Sequence, residues 1–240
     1  MNTTPVESPE ERLELMDLAL ALLSFAAGAM DALAFFSLGE VFPSAMTGNT
    51  ALLGLALGQG HLTRASRPFV AFVGFLAGGA LASASLELRL GAFTKPQAVW
   101  RLLALEACLL AVFTLAWGPA DRPIADVIVY PLILVASSAM GIQSVAARLL
   151  GRPGITTVVF TSTLTSIVVT TTQALLRSPR RLPLAASRQI GMFLIYGLGA
   201  GICGLLASQA AWTAALPLLA VLGAAALLWF AAASKPSRAD

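Results

Sequence analysis

Residues 42–54 read FPSAMTGNTALLG, and six of their first nine positions are polar or helix-interrupting: Pro43, Ser44, Thr47, Gly48, Asn49 and Thr50. Everything around them is apolar. Pro43 disfavours helical geometry at Phe42, so the chain enters the stretch extended. An apolar helix then starts near Thr47 to Thr50, where Thr and Asn side chains can cap its first N–H groups and its positive end can meet a polar or anionic ligand. What remains of that helix is shorter than the roughly 20 residues a full crossing requires. The stretch therefore reads as a broken or re-entrant segment, which a membrane protein tolerates where the backbone is enclosed by protein or lines a cavity. The alternative is a plain kink with tight glycine packing.

The rest of the chain supplies the membrane setting. Of 240 residues, 58% are hydrophobic and 11% charged, and the mean hydropathy is strongly positive, a balance that belongs to integral membrane proteins. The formal charge of +3 is spread over loops, which argues against a nucleic-acid surface and makes the lipid bilayer, with its anionic headgroups, the partner of those charges. The N-terminal stretch is acidic before its apolar run, unlike a cleaved secretory signal, so the first helix is expected to stay as a span. Cys108 and Cys203 lie in apolar runs without metal-knuckle spacing, and His61 is the single histidine. No metal site, cofactor fingerprint or nucleotide loop is expected from these residues.

Long apolar runs bounded by Pro, Gly and charge divide the chain into eight segments: 13–38, 42–58, 68–90, 98–117, 124–150, 155–176, 184–208 and 212–232. Six are long enough to cross. The second is short, and the sixth is dense in Thr and Ser. Trp100 and Trp117 bracket the fourth segment as Trp212 and Trp229 bracket the eighth, each pair 17 residues apart at a common offset of 112. The same offset sets Asp31 against Gln143. With loop insertions allowed, MTGNT (46–50) aligns with FTSTL (160–164), and the run from Ser66 with the run from Ser187. The expected organisation is a single all-α membrane domain, 1–240, built from two repeats, 13–117 and 124–232, joined at GPADRP.

Basic residues choose between two topologies. If all eight segments cross, ten Lys and Arg share the side of the termini and five lie opposite, and the repeats are parallel. If segments 42–58 and 155–176 turn back, twelve lie with the termini and only Arg64, Arg67 and Arg122 lie opposite. The second arrangement has six long spanning helices plus two short segments, inverted repeats, and both termini in the cytoplasm of a bacterial inner membrane.

The stretches GAMDALAF, FPSAMTGNTALLGLALGQG, GIQSVAARLLG and TTVVFTSTLT together resemble the YoaK-type family of bacterial membrane proteins, a domain of unknown function. The resemblance covers nearly the whole chain and implies a multi-spanning inner-membrane protein without an assigned substrate. Two positions depart from the family pattern: Ser162 stands where Gly is usual, and Ser144 where Asn usually follows Gln.

Asp31 is the main candidate for chemistry. A carboxylate deep in a span costs at least about 2.5 to 3.5 kcal/mol unless neutral, paired or facing water. Asp17, Ser24, Gly28 and Asp31 share one helical face, expected to point into the bundle. Thr47, Gly48, Asn49 and Thr50, with Gln143 and the repeat-related Thr161, Ser162 and Thr163, are expected to line a solute site near the midplane. Glu106, expected nearer the interface than Asp31, joins Asp31 as a proton-coupling candidate. The glycines of the third and seventh segments suit close helix packing. The expected function is a permease or exporter of a small polar or anionic solute, open to proton coupling and to homo-oligomer formation, and not an enzyme. An intramembrane enzyme acting on lipid, or a non-transporting scaffold or sensor, is the alternative.

Overall fold

A computed structural model describes residues 9–88, 95–118, 120, 124–150, 160–177, 183–207 and 211–233. These form eight α-helices: α1 Pro9–Ser37, α2 Met46–Gly58, α3 Leu62–Glu87, α4 Lys95–Trp117, α5 Asp126–Leu149, α6 Phe160–Arg177, α7 Leu184–Leu206 and α8 Ala215–Ala233, the last preceded by a 3-10 turn at Ala211–Ala214. No β-strand occurs among the described residues. Residues 155–159, the side chains of Thr161 and Ser162, and most of the GPADRP joint lie outside them.

Six helices have the length and composition to cross a membrane: Leu13–Ser37, Leu62–Glu87, Gln97–Trp117, Asp126–Leu149, Leu184–Leu206 and Trp212–Ala231. The protein is an all-α, multi-pass membrane protein. The 13 residues of α2 extend about 20 Å at 1.5 Å per residue, short of a hydrocarbon core of about 30 Å. Among the described residues, α6 offers the shorter apolar stretch Thr163–Leu176.

Helix directions decide how α2 and α6 are accommodated. α1 and α7 run parallel, tied by Arg188 to Asp17 at 2.7 Å near their starts and by Tyr196 to Asp31 further along. α3 and α5 also run parallel, joined by Arg67 and Asp126 at 2.8 Å, Ser66 and Tyr130 at 2.8 Å, and Ser138 Oγ donating to the Gly74 carbonyl at 3.0 Å. α4 and α8 run antiparallel: Trp100 and Trp229 have ring centroids 5.1 Å apart, and at the other end Thr114 Oγ1 donates to the Ala214 carbonyl at 2.9 Å. Eight crossings would make α4 and α8 even-numbered spans running the same way. With α2 and α6 turned back they are the third and sixth spans and run oppositely, as observed.

α1 packs on α7 and α8, α5 packs on α3 and α4, and α4 packs on α8; α2 lies on α3 and α6 on α7. Exchanging α1 with α5, α2 with α6, α3 with α7 and α4 with α8 converts the α4–α8 pairing into itself and each other pairing into another of the set. The closest crossings correspond residue by residue. A Cβ at Gly28 would run into the Tyr196 carbonyl and one at Gly141 into the Phe75 carbonyl; at Gly199 it would meet the Phe25 carbonyl and at Gly78 the Ser138 carbonyl. Backbones approach this closely only where no side chain intervenes. Gly28 thus corresponds to Gly141, Phe25 to Ser138, Phe75 to Tyr196 and Gly78 to Gly199. This register sets Asp31 against Ser144, one residue from the expected Gln143. The sequence alignment took its offset from the tryptophan pairs, whereas the crossing depends on the absence of a Cβ, and Met140 could not stand where Gly28 does.

Two boundaries differ from expectation. α3 starts at Leu62 and continues through Pro68, a residue expected to mark its beginning because proline removes a backbone donor; enclosed spans accommodate such breaks. α2 starts at Met46, with Ala45 as N-cap and no side-chain cap, so the expected capping by Thr and Asn is not what begins this helix.

Candidate functional site

The break between α1 and α2 begins with a reversal at Gly39 and Glu40, which have φ of 88° and 61°. The Leu38 N–H donates to the Ala34 carbonyl and the Glu40 N–H to the Phe35 carbonyl, closing the end of α1. The Arg67 guanidinium lies over Gly39 where a Cβ would sit; that flexible side chain could move aside, so it is the left-handed conformation that favours glycine there.

From this reversal the chain turns back along α1. Asn49, fully buried, holds the extended backbone of Phe42 from both sides: the Phe42 N–H donates to Asn49 Oδ1 at 3.0 Å, and Asn49 Nδ2 donates to the Phe42 carbonyl at 2.7 Å. An amide side chain is suited to this because it offers a donor and an acceptor together. The Phe42 ring packs over Gly48 and stacks on Phe35, centroids 5.2 Å apart. Asn49 and Gly48 therefore secure the returning strand.

That strand delivers Ser44 to Asp31. Asp31 is 2% exposed, and its carboxyl accepts three hydrogen bonds: from the Ser44 N–H to Oδ1 at 2.7 Å, from Ser44 Oγ to Oδ2 at 2.6 Å, and from Tyr196 Oη on α7 to Oδ2 at 2.6 Å. Bonds of this length to a carboxylate are worth about 1.5 to 3 kcal/mol each. They offset burial without a cation, since no Lys or Arg pairs with Asp31 among the described residues. Ser24 and Gly28 share the buried face of α1, as expected: Ser24 bonds back to the Leu20 carbonyl and Gly28 meets α7. Asp17 meets Arg188 of α7.

The other sequence candidates are dispersed. Thr47 and Thr50 are exposed, and Thr50 Oγ1 turns back to the Met46 carbonyl. Gln143 is buried and donates from Nε2 to the Leu23 carbonyl of α1 at 3.0 Å. Thr163 is buried on α6. Glu106 lies on α4, away from Asp31's partners and fully buried. Along the chain it stands one residue from the middle of the apolar stretch Gln97–Trp117.

Sequence reasoning missed Ser44 and Tyr196 as partners of Asp31. A signal for Tyr196 existed: it is one of two tyrosines in the chain, and the aligned repeats oppose it to Phe75. No comparable signal singled out Ser44 among its neighbours.

Where α1 and α2 end and α3 and α5 begin, an open recess of about 1110 Å³ is lined by Phe35, Phe36, Glu40, Arg64, Arg67 and Tyr130, among others. Phe35, one helical turn from Asp31, is part of this lining, and its ring stacks on that of Phe42.

Comparison with known proteins gives a family match and one relative. A family profile described as "Protein of unknown function (DUF1275)" matches residues 19–229. The UPF0700 transmembrane protein YoaK of Bacillus subtilis (strain 168) is 39% identical over 150 residues, an alignment covering 62% of this chain and 64% of the relative. The matched part thus spans slightly less than two thirds of that protein. No solved structure matches the chain.

Proposed function

The chain belongs to the DUF1275 family, and from that premise we propose that it is a permease or exporter of a small polar or anionic solute, acting in a bacterial inner membrane with both termini in the cytoplasm. The observation that carries this reading is the environment of Asp31. Its buried carboxyl accepts hydrogen bonds from the non-helical return strand, through Ser44, and from α7 of the second half, through Tyr196. An intramembrane ionisable residue held at a helix break between two halves is where transporters of inverted-repeat design place their sites.

In this reading the recess is the outer vestibule, because the arrangement with Arg64, Arg67 and Arg122 opposite the termini has the stronger positive-inside asymmetry. A solute enters past Glu40 and Arg64, the Phe35 and Phe42 rings part, and its polar groups exchange with the donors on Asp31. Replacing Ser44 or Tyr196 as partner, or protonating the carboxyl, releases α7 from α1 and lets one half move against the other. The likeness to transporters of known design is one of architecture and rests on analogy.

The test is a thermal-shift screen of the purified protein against small polar and anionic solutes, repeated with Asp31→Asn. A solute that stabilises the wild type and has no effect on the variant supports the reading. If none stabilises the wild type, or if every active solute acts equally on the variant, the site assignment fails.

A further inference from the structure

We propose that Glu106 is a second proton-binding site, separate from Asp31 and occluded at the middle of the bundle, which is loaded and emptied when α4 parts from its neighbours. The inference deepens the transport reading by supplying a coupling group, and it rests on different residues.

Glu106 is 0% exposed. It occupies the centre of the buried seam of α4, flanked by Leu103 and Leu110 one turn away on either side, with Val99, Phe113 and Trp117 continuing the seam. Among the described residues neither carboxyl oxygen has a hydrogen-bond partner, in contrast to Asp31 with its three donors. The groups packed around it offer no counter-charge. α5 carries its ionisable residues, Asp126, Tyr130 and Arg148, only towards its ends, and α8 carries none. On α4 itself Arg101 and Cys108 are on the exposed side. An unpaired buried carboxylate in such surroundings carries a penalty of several kcal/mol, so the site demands a positive occupant.

The register of the α4–α5 hairpin supplies a second observation. Glu106 lies 11 residues before the end of α4 at Trp117, and Ser137 lies 11 residues after the start of α5 at Asp126. Counted along this antiparallel hairpin, the two occupy equivalent positions. Ser137 is also fully buried, and its hydroxyl also lacks a hydrogen-bond partner. Two unsatisfied polar groups at equivalent positions of an apolar hairpin are not a packing requirement, since Leu and Ala would fill the same seam without the penalty.

The occupant is identified by what the site lacks. A hard metal cation takes about six or more oxygens, and here one carboxyl and one hydroxyl stand at those positions, on helices unbroken there whose carbonyls are engaged in their own ladders. A proton needs only one oxygen. It is taken from solvent, converts the carboxylate to the neutral acid and is returned to solvent, with no other bond changed. Because the seam is closed, exchange requires α4 to separate from α5 or α8, and that ties the proton to the conformation of the bundle.

The experiment uses the purified full chain in detergent, labelled with the apolar reagent dicyclohexylcarbodiimide and mapped by peptide mass spectrometry, with infrared spectra of the carboxylic-acid carbonyl stretch recorded as the buffer is made alkaline and returned. The expected result is modification at Glu106, and an acid band that declines reversibly with alkali, is lost in Glu106→Gln and is kept in Asp31→Asn. A band that does not respond to alkali marks a permanently neutral, structural acid and overturns the proposal. So does a band unchanged in Glu106→Gln, or an unlabelled Glu106. The labelling and the alkaline titration are made on the wild type, so a variant that misfolds does not decide the matter. None of these readouts needs a solute, so failure here is distinguishable from failure of the Asp31 site.

Discussion

Tyr196 and Asp31, 165 residues apart in sequence, are joined by a hydrogen bond of 2.6 Å between the phenol and the buried carboxyl. It connects the first helix of one half to the last helix but one of the other. Tyr196→Phe removes the donor and leaves the ring. The expected loss is about 1.5 to 3 kcal/mol, seen as a lower unfolding midpoint in detergent. The loss is coupled to that of Ser44→Ala, because both hydroxyls donate to the same oxygen; the double variant departs from the sum of the singles by at least about 0.5 kcal/mol. Strict additivity would show that the two donors do not act through Asp31.

Asn49 anchors the return strand through two bonds to Phe42. Asn49→Ala strands a backbone donor and an acceptor, with an expected cost of about 2 to 4 kcal/mol. Asn49→Asp keeps the acceptor but sets a carboxylate oxygen against the Phe42 carbonyl in a buried position, and is expected to fall at or below Asn49→Ala in unfolding midpoint. Thr50→Ala, which removes only an exposed bond back to Met46, is expected to stay within about 0.5 kcal/mol of the wild type.

The glycine crossings are tested by adding one carbon. Gly28→Ala and Gly141→Ala each drive a Cβ into a backbone carbonyl that no rotamer change can move. Each is expected to cost about 3 kcal/mol or more, or to abolish folded yield. Gly54→Ala on α2 meets nothing within 4 Å and is expected to be neutral or stabilising by up to about 1 kcal/mol. Equal effects at all three positions, read from size-exclusion yield and unfolding midpoint, would contradict the crossings.

Topology has its own test. Single cysteines introduced at Gln59 and at Ser178, in a Cys108→Ser and Cys203→Ser background, are labelled with a membrane-impermeant maleimide in intact cells and in inverted vesicles. The turned-back arrangement expects Gln59 to react from the side opposite the termini and Ser178 from the side of the termini. Reaction of Gln59 from the same side as the termini contradicts the helix directions.

Much of the fold was legible in the sequence because spans announce themselves. Composition separated membrane from soluble, and Pro, Gly and charge bounded eight segments that the helices follow within a few residues, except at Pro68, where the helix runs through. The unequal distribution of Lys and Arg favoured turning back α2 and α6. The candidate site was legible only in part. Asp31 stood out by its cost, and Asn49 by its place in a break. Asn49's actual task, holding Phe42 in place, depends on a backbone geometry that residue types do not encode. Thr47 and Thr50 share the same polar stretch, but the helix that begins at Met46 turns them outward.

By itself the sequence determined the medium, the number of long spans and the presence of a costly acid in the first of them, because each follows from local composition and length. The tertiary structure decided which groups satisfy that acid. Ser44 reaches Asp31 because the chain reverses at Gly39 and runs back along α1, and Tyr196 reaches it because glycines allow α1 and α7 to touch along their backbones. Those contacts join residues 13 and 165 positions apart. The same packing leaves Glu106 without a partner, since what surrounds a side chain at the centre of α4 is set by α5 and α8 and by nothing adjacent to it in the chain.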